Sequence, residues 1–85
     1  MGLAELKYPV VSIVWDDACS DSGWQSAKEI KWEQQLVYTT GYLISESRDY
    51  VLIGHTYSGD DFVGWFQIPK RMIVSRKTLV RAKRR

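Results

Sequence analysis

The chain has 85 residues, 45% of them hydrophobic, 13% aromatic and 26% charged, the make-up of one ordinary globular domain and not of a disordered segment. That length excludes a multidomain enzyme and a Rossmann or P-loop fold, and the single cysteine, Cys19, excludes an internal disulfide scaffold. No apolar run approaches the roughly 20 residues of a membrane span. Met1–Lys7 has no cationic start followed by an apolar stretch, so no signal peptide is expected, and one cysteine fits a reducing, cytoplasmic setting. A chain this short buries only about 60–65% of the surface its unfolded form exposes, which makes self-association an expected source of stability.

The net charge of +2 hides a split. Lys70, Arg71, Arg76, Lys77, Arg81, Lys83, Arg84 and Arg85 put eight bases and no acid into residues 70–85. Residues 1–69 hold four bases against ten acids, about −6. A segregated basic segment is an electrostatic footprint for phosphates, with residues 81–85 as its arm. It also suits a solubilising terminus, or a segment that meets acids of the same chain or of a neighbour.

Val10–Trp15 is β-branched and aromatic and reads as a first strand introduced by Pro9, with Val11, Ile13 and Trp15 on one face. Residues 16–23 are turn-rich. Ser26 and Glu29 have capping-box spacing, which predicts a short helix over about 26–35 that needs tertiary packing to survive. From Leu36 the period becomes two. Leu36–Glu46, Tyr50–Tyr57, Phe62–Ile68 and Met72–Val80 read as four further strands, separated by turns at 45–49 and 58–61 and a corner at Pro69-Lys70-Arg71. Gly41, Gly54 and Gly64 interrupt the three middle strands, as bends or bulges do. Five short strands and one short helix predict an all-β domain, a strongly bent small barrel. The tight corner before the last strand favours the SH3-like over the OB arrangement.

The chemistry-bearing residues give no catalytic or metal centre. Asp17-x-Cys19-x-Asp21 begins like a calcium loop, but the glycine falls one place late and Lys28 stands where a bidentate Glu is required. His55, the sole histidine, sits mid-strand as a packed or hydrogen-bonded residue, and a zinc site would need carboxylates to complete it. Cys19 lies among acids, which do not lower a thiol pKa. Glu46 and Asp49 lie in an exposed hairpin where nothing desolvates them for acid–base work. The expectation is a non-enzyme with no cofactor. Trp15 is expected in the core, Trp24 packed between loop and helix, and Trp65 and Phe66 on opposite faces of strand four, so that one of them meets the helix or a neighbouring subunit.

The segment Thr40-Gly41-Tyr42-Leu43-Ile44, followed by Asp49 and Tyr50-Val51-Leu52-Ile53, resembles the first motif of Sm-like (LSm, Hfq-type) proteins. Phe66 to Ile73 resembles a degenerate second motif. Ile13-Val14-Trp15-Asp16-Asp17-Ala18, Gly23-Trp24, Thr39 to Ile44 and Ile68 to Ile73, in that order over residues 9–80, resemble the small Sm-like proteins of phage or cyanophage origin. The resemblance implies a single domain over 1–85, its barrel at about 9–80 and its basic tail at 81–85. It further implies a closed homo-oligomeric ring, with strand four of one subunit paired to strand five of the next. Five copies are preferred within the family's range of five to eight, in the host cytosol if the protein is phage-encoded. The Asn and the Arg-Gly of Sm-like RNA binders are absent here. Arg48, Tyr50, Lys70 and Arg71 in the two loops, with Arg81, Lys83, Arg84 and Arg85 in the tail, are the expected contacts for single-stranded nucleic acid, RNA favoured. An adaptor ring that has lost the nucleotide pocket and binds a protein partner is the alternative.

Overall fold

A computed structural model describes residues 5–17, 24–30 and 34–83. Five strands follow one another: β1 (Val10–Asp16), β2 (Leu36–Glu46), β3 (Tyr50–Ser58), β4 (Asp61–Pro69) and β5 (Ile73–Val80). A three-residue 3-10 turn, Lys70–Met72, joins the last two. All neighbours are antiparallel, in the order β4-β3-β2-β1-β5. The strands fall within a residue or so of the expected ones, because β-branched runs and turn residues are local signals.

The expected barrel is not formed. β4 and β5 stand at opposite ends of the strand order, so the sheet is bent but open. The corner explains this. Pro69 ends β4, and the 3-10 turn carries Ile73 over to Trp15, so that β1 takes the ladder of β5 while β4 keeps only β3.

The bend builds the core. Val11, Ile13 and Trp15 of β1 are buried against Val51 and Ile53 of β3 and Ile68 of β4. Strands three places apart lie about 14 Å from each other in a flat sheet, so β1 and β4 share a core only because the sheet folds over itself. Each such aliphatic side chain contributes about 1.5–3 kcal/mol on burial. Two devices supply the curvature. The register slips in β1–β5 and β2–β3, and Gly64 interrupts β4 at φ +74, a conformation that L side chains rarely adopt.

The expected helix over 26–35 is absent from the described residues. The Ser26 carbonyl accepts from Glu29 and Ile30 N–H in a single turn, and residues 24–30 are exposed throughout. At the other end, Gln35 donates to the Asp16 carboxylate and accepts from Asp17 N–H, so it extends the β1–β2 ladder instead. A segment with no apolar surface to pack on has nothing to offset the cost of nucleating a helix. Trp24 is fully exposed among the described residues, contrary to the expectation that it packs between loop and helix. Cys19, Asp21 and Trp32 lie outside the described residues.

An N-terminal strap crosses the far end of the sheet. Pro9 C=O accepts from Leu43 N–H, and Leu6 C=O from Lys83 N–H. Tyr8 packs edge-on against Tyr57 and Phe62, and Lys7 pairs with Asp60. Among the described residues, no helix is long and apolar enough to cross a membrane.

Candidate functional site

The β2–β3 hairpin closes through Ser47 and Tyr50. Ser47 N–H donates to the Tyr50 carbonyl, and the Ser47 hydroxyl accepts from Tyr50 N–H at 3.1 Å. This leaves Arg48 and Asp49 at the tip. The 3-10 corner is bonded to that tip, since Lys70 N–H donates to the Asp49 carbonyl at 2.8 Å. Two loops more than 20 residues apart in sequence are thereby held side by side.

Between them lies an open hollow of about 480 Å³, lined by Arg48, Asp49, Tyr50, Lys70 and Arg71. Four of the eight expected nucleic-acid contacts are therefore together: Arg48, Tyr50, Lys70 and Arg71. Three cations and one carboxylate line it, and Tyr50 is 43% exposed beside them. Guanidinium groups match phosphate oxygens, and an exposed phenol ring can stack on a base.

The tail is elsewhere. Val80 pairs with Val10, and Ile73 with Trp15, so β5 carries the chain about 25 Å away from the corner before residue 81. There Lys83 pairs with Glu5 at 2.8 Å. Arg81 is exposed, and Arg84 and Arg85 lie outside the described residues. Within one chain, Arg81 and Lys83 do not join the hollow.

Glu46, read from the sequence only as an exposed hairpin carboxylate, is the centre of an ion-pair cluster beside the hollow. Its carboxylate accepts from both terminal nitrogens of Arg76, at 3.0 and 2.9 Å, and pairs with Lys70 Nζ at 3.1 Å. The Arg76 and Lys70 hydrogen bonds pull its pKa from the ordinary 4.5 down to about 2. Arg76 is 30 positions away, and only the bend of the sheet brings β5 to the hairpin. Asp49, expected in an exposed hairpin, is exposed at its tip, lines the hollow and fixes the corner through its carbonyl.

A second, apolar hollow of about 300 Å³ opens beside β4, lined chiefly by Thr39, Ile53, His55, Trp65 and Phe66. Phe66 leans on Trp15, while Trp65 is 65% exposed. His55 is exposed and hydrogen-bonded to the Thr56 hydroxyl at 2.8 Å. No cluster of three metal-ligating side chains occurs among the described residues.

The molecule is thus an all-β domain: five antiparallel strands in one bent, open sheet, with one short helical turn beside a basic hollow. No protein-family model, curated protein or solved structure matches the chain.

Proposed function

We propose that this is a non-catalytic, Sm-like homo-oligomeric ring protein that binds single-stranded nucleic acid, RNA favoured, at the hollow between the β2–β3 hairpin and the β4–β5 corner. The observation that carries this reading is the convergence of Arg48, Tyr50, Lys70 and Arg71 from two separate loops. Cations for phosphates beside an exposed ring for a base are the two components that single-strand binding requires.

The unpaired sheet edges support the ring. Among the described residues, β4 and β5 each keep one row of backbone groups without a strand partner. Proteins that stay monomeric protect such edges with charge. β4 has only Asp61, at its very start, and exposes Val63 and Trp65; β5 carries Arg76, which is tied to Glu46, and Lys77, and exposes Val74, Leu79 and Val80. Pairing β4 of one copy with β5 of the next is heterologous, and a rotation that closes makes a ring, with five copies preferred. The hollows would then repeat around one face, and Arg81 and Lys83 around the other.

The test is fluorescence anisotropy of labelled oligo(U) at about 50 and 200 mM salt. Micromolar binding that weakens steeply with salt and is lost in Arg48→Ala/Arg71→Ala supports the reading. Absence of binding at about 50 mM salt defeats it.

One observation favours the adaptor alternative. Lys70, Arg76 and Lys83 of the basic segment are already paired to acids of the same chain. A salt-independent complex with a protein partner, without RNA affinity, would establish that alternative.

A further inference from the structure

The hollow is lined by three cations, yet they are not equivalent. Lys70 Nζ lies 3.1 Å from Glu46 Oε1. Arg48 and Arg71 are exposed and have no ion pair among the described residues. Glu46 cannot follow Lys70 toward a ligand, because Arg76 on β5 holds both of its oxygens. The backbone of Lys70 is equally fixed, through its N–H to the Asp49 carbonyl. Its ammonium is therefore tethered from both ends.

We propose that Glu46 is a positioning and charge-limiting residue of the basic hollow: it holds the Lys70 ammonium back, so that the guanidinium groups of Arg48 and Arg71 make the contacts to a phosphate-type anion. This rests on the hollow being an anion site, as the functional reading requires. Planar guanidinium groups bind tetrahedral oxyanions through two parallel N–H bonds, whereas an ammonium is a point charge with no such geometry. Occupying the ammonium with a carboxylate leaves the more selective donors in place and lowers the pull of the hollow on polyanions in general. The Glu46–Lys70–Arg76 cluster carries one net positive charge; without Glu46 it would carry two. Lys70 is the member that already lines the hollow, so the freed charge would act there.

The probe is inorganic tripolyphosphate, which carries the anion chemistry without a base. In wild-type protein observed through side-chain nitrogen resonances, tripolyphosphate should shift the Nε signals of Arg48 and Arg71 and leave Lys70 Nζ in place. In Glu46→Gln, the Lys70 signal should join them, and calorimetric affinity should tighten at least threefold. Glu46→Gln/Lys70→Met should lose that gain. Three results overturn the proposal: wild-type Lys70 moving as far as Arg71, Glu46→Gln binding no tighter, or wild type not binding tripolyphosphate. Should Glu46→Gln fail to fold, the wild-type titration decides alone. If the tripolyphosphate pattern holds and oligo(U) does not bind, the nucleic-acid reading fails while this one stands.

Discussion

Trp15 on β1 and Phe66 on β4 lie with ring centroids 5.6 Å apart, although two strands separate theirs in the sheet. That contact measures how far the sheet has curled, and it places the one core tryptophan among the described residues under the strand that borders the apolar hollow. Trp15 is 6% exposed and donates its indole N–H to the Thr39 hydroxyl at 3.1 Å.

Trp15→Ala should cost about 3–5 kcal/mol, the usual loss for a large buried aromatic. Phe66→Ala, half of whose ring is already wet, should cost about 1–2 kcal/mol. Trp65→Ala, pointing outward, should leave the intrinsic stability of the chain within about 0.5 kcal/mol. Urea unfolding under conditions that keep the chain monomeric separates the three. Equal losses at 65 and 66 would mean that the two side chains do not face opposite ways.

Gly41 is a close approach. A Cβ there would stand 2.6 Å from Ile53 Cγ2 and 2.7 Å from the Gly54 carbonyl oxygen, and the second of these is backbone. Relief would have to come from moving β3 away from β2. Gly41→Ala should therefore destabilise by about 1–3 kcal/mol, in the range of core overpacking. A midpoint unchanged in a thermal melt would show that the two strands are less tightly opposed.

Some of this molecule was legible in the sequence because the signals were local. The alternation of Val10 to Trp15 gave the buried face of β1, and Ser47-Arg48-Asp49 gave the hairpin that carries half of the hollow. Two features were not legible for physical reasons. The choice between a closed and an open sheet depends on which neighbour β5 finds after a three-residue corner, and no residue in β4 or β5 encodes that alone. The Ser26-x-x-Glu29 signal described a helix start, but helix survival depends on packing, and residues 24–30 are exposed throughout. The basic hollow was half legible. Its cations were visible, while their unequal state depends on Arg76 reaching Glu46 across a bent sheet.

Glu46 sets an acid limit on the hollow. Its pKa is lowered from 4.5 to about 2, chiefly by the hydrogen bonds from Arg76 and then Lys70. A depressed carboxylate stabilises the fold above its unfolded pKa, and that contribution disappears as pH falls from about 5 to about 2. Its side chain is 33% exposed, so solvent screening leaves about 1 kcal/mol of the larger nominal figure. Wild type should therefore exceed Glu46→Gln in stability by about 1 kcal/mol at pH 7 and match it near pH 2. Chemical denaturation across that range checks the convergence. A difference independent of pH would mean that the glutamine disturbs packing and not charge.

The open edges give the proposed ring its test. Val63 on β4 and Leu79 on β5 are exposed apolar side chains on strands whose outer backbone groups have no strand partner among the described residues. A lysine on an edge is a common natural barrier to strand addition, because pairing would require desolvating its ammonium; β5 already carries Lys77, so Leu79→Lys adds a second beside it. Val63→Lys and Leu79→Lys should each leave the chain folded, since neither position belongs to the core cluster. If copies join β4 to β5, each substitution alone should shift the mass in light scattering toward the 9.9 kDa single chain. In a mixture the Val63→Lys chain still offers a good β5 and the Leu79→Lys chain a good β4, so the two should form one heterodimeric contact and stop. A closed ring of wild-type chains has no ends, so its mass should stay constant on concentration, at about 50 kDa for five copies of a 9.9 kDa chain. A mass that grows with concentration would indicate an open chain of copies, and a wild-type mass of one chain would remove the ring altogether.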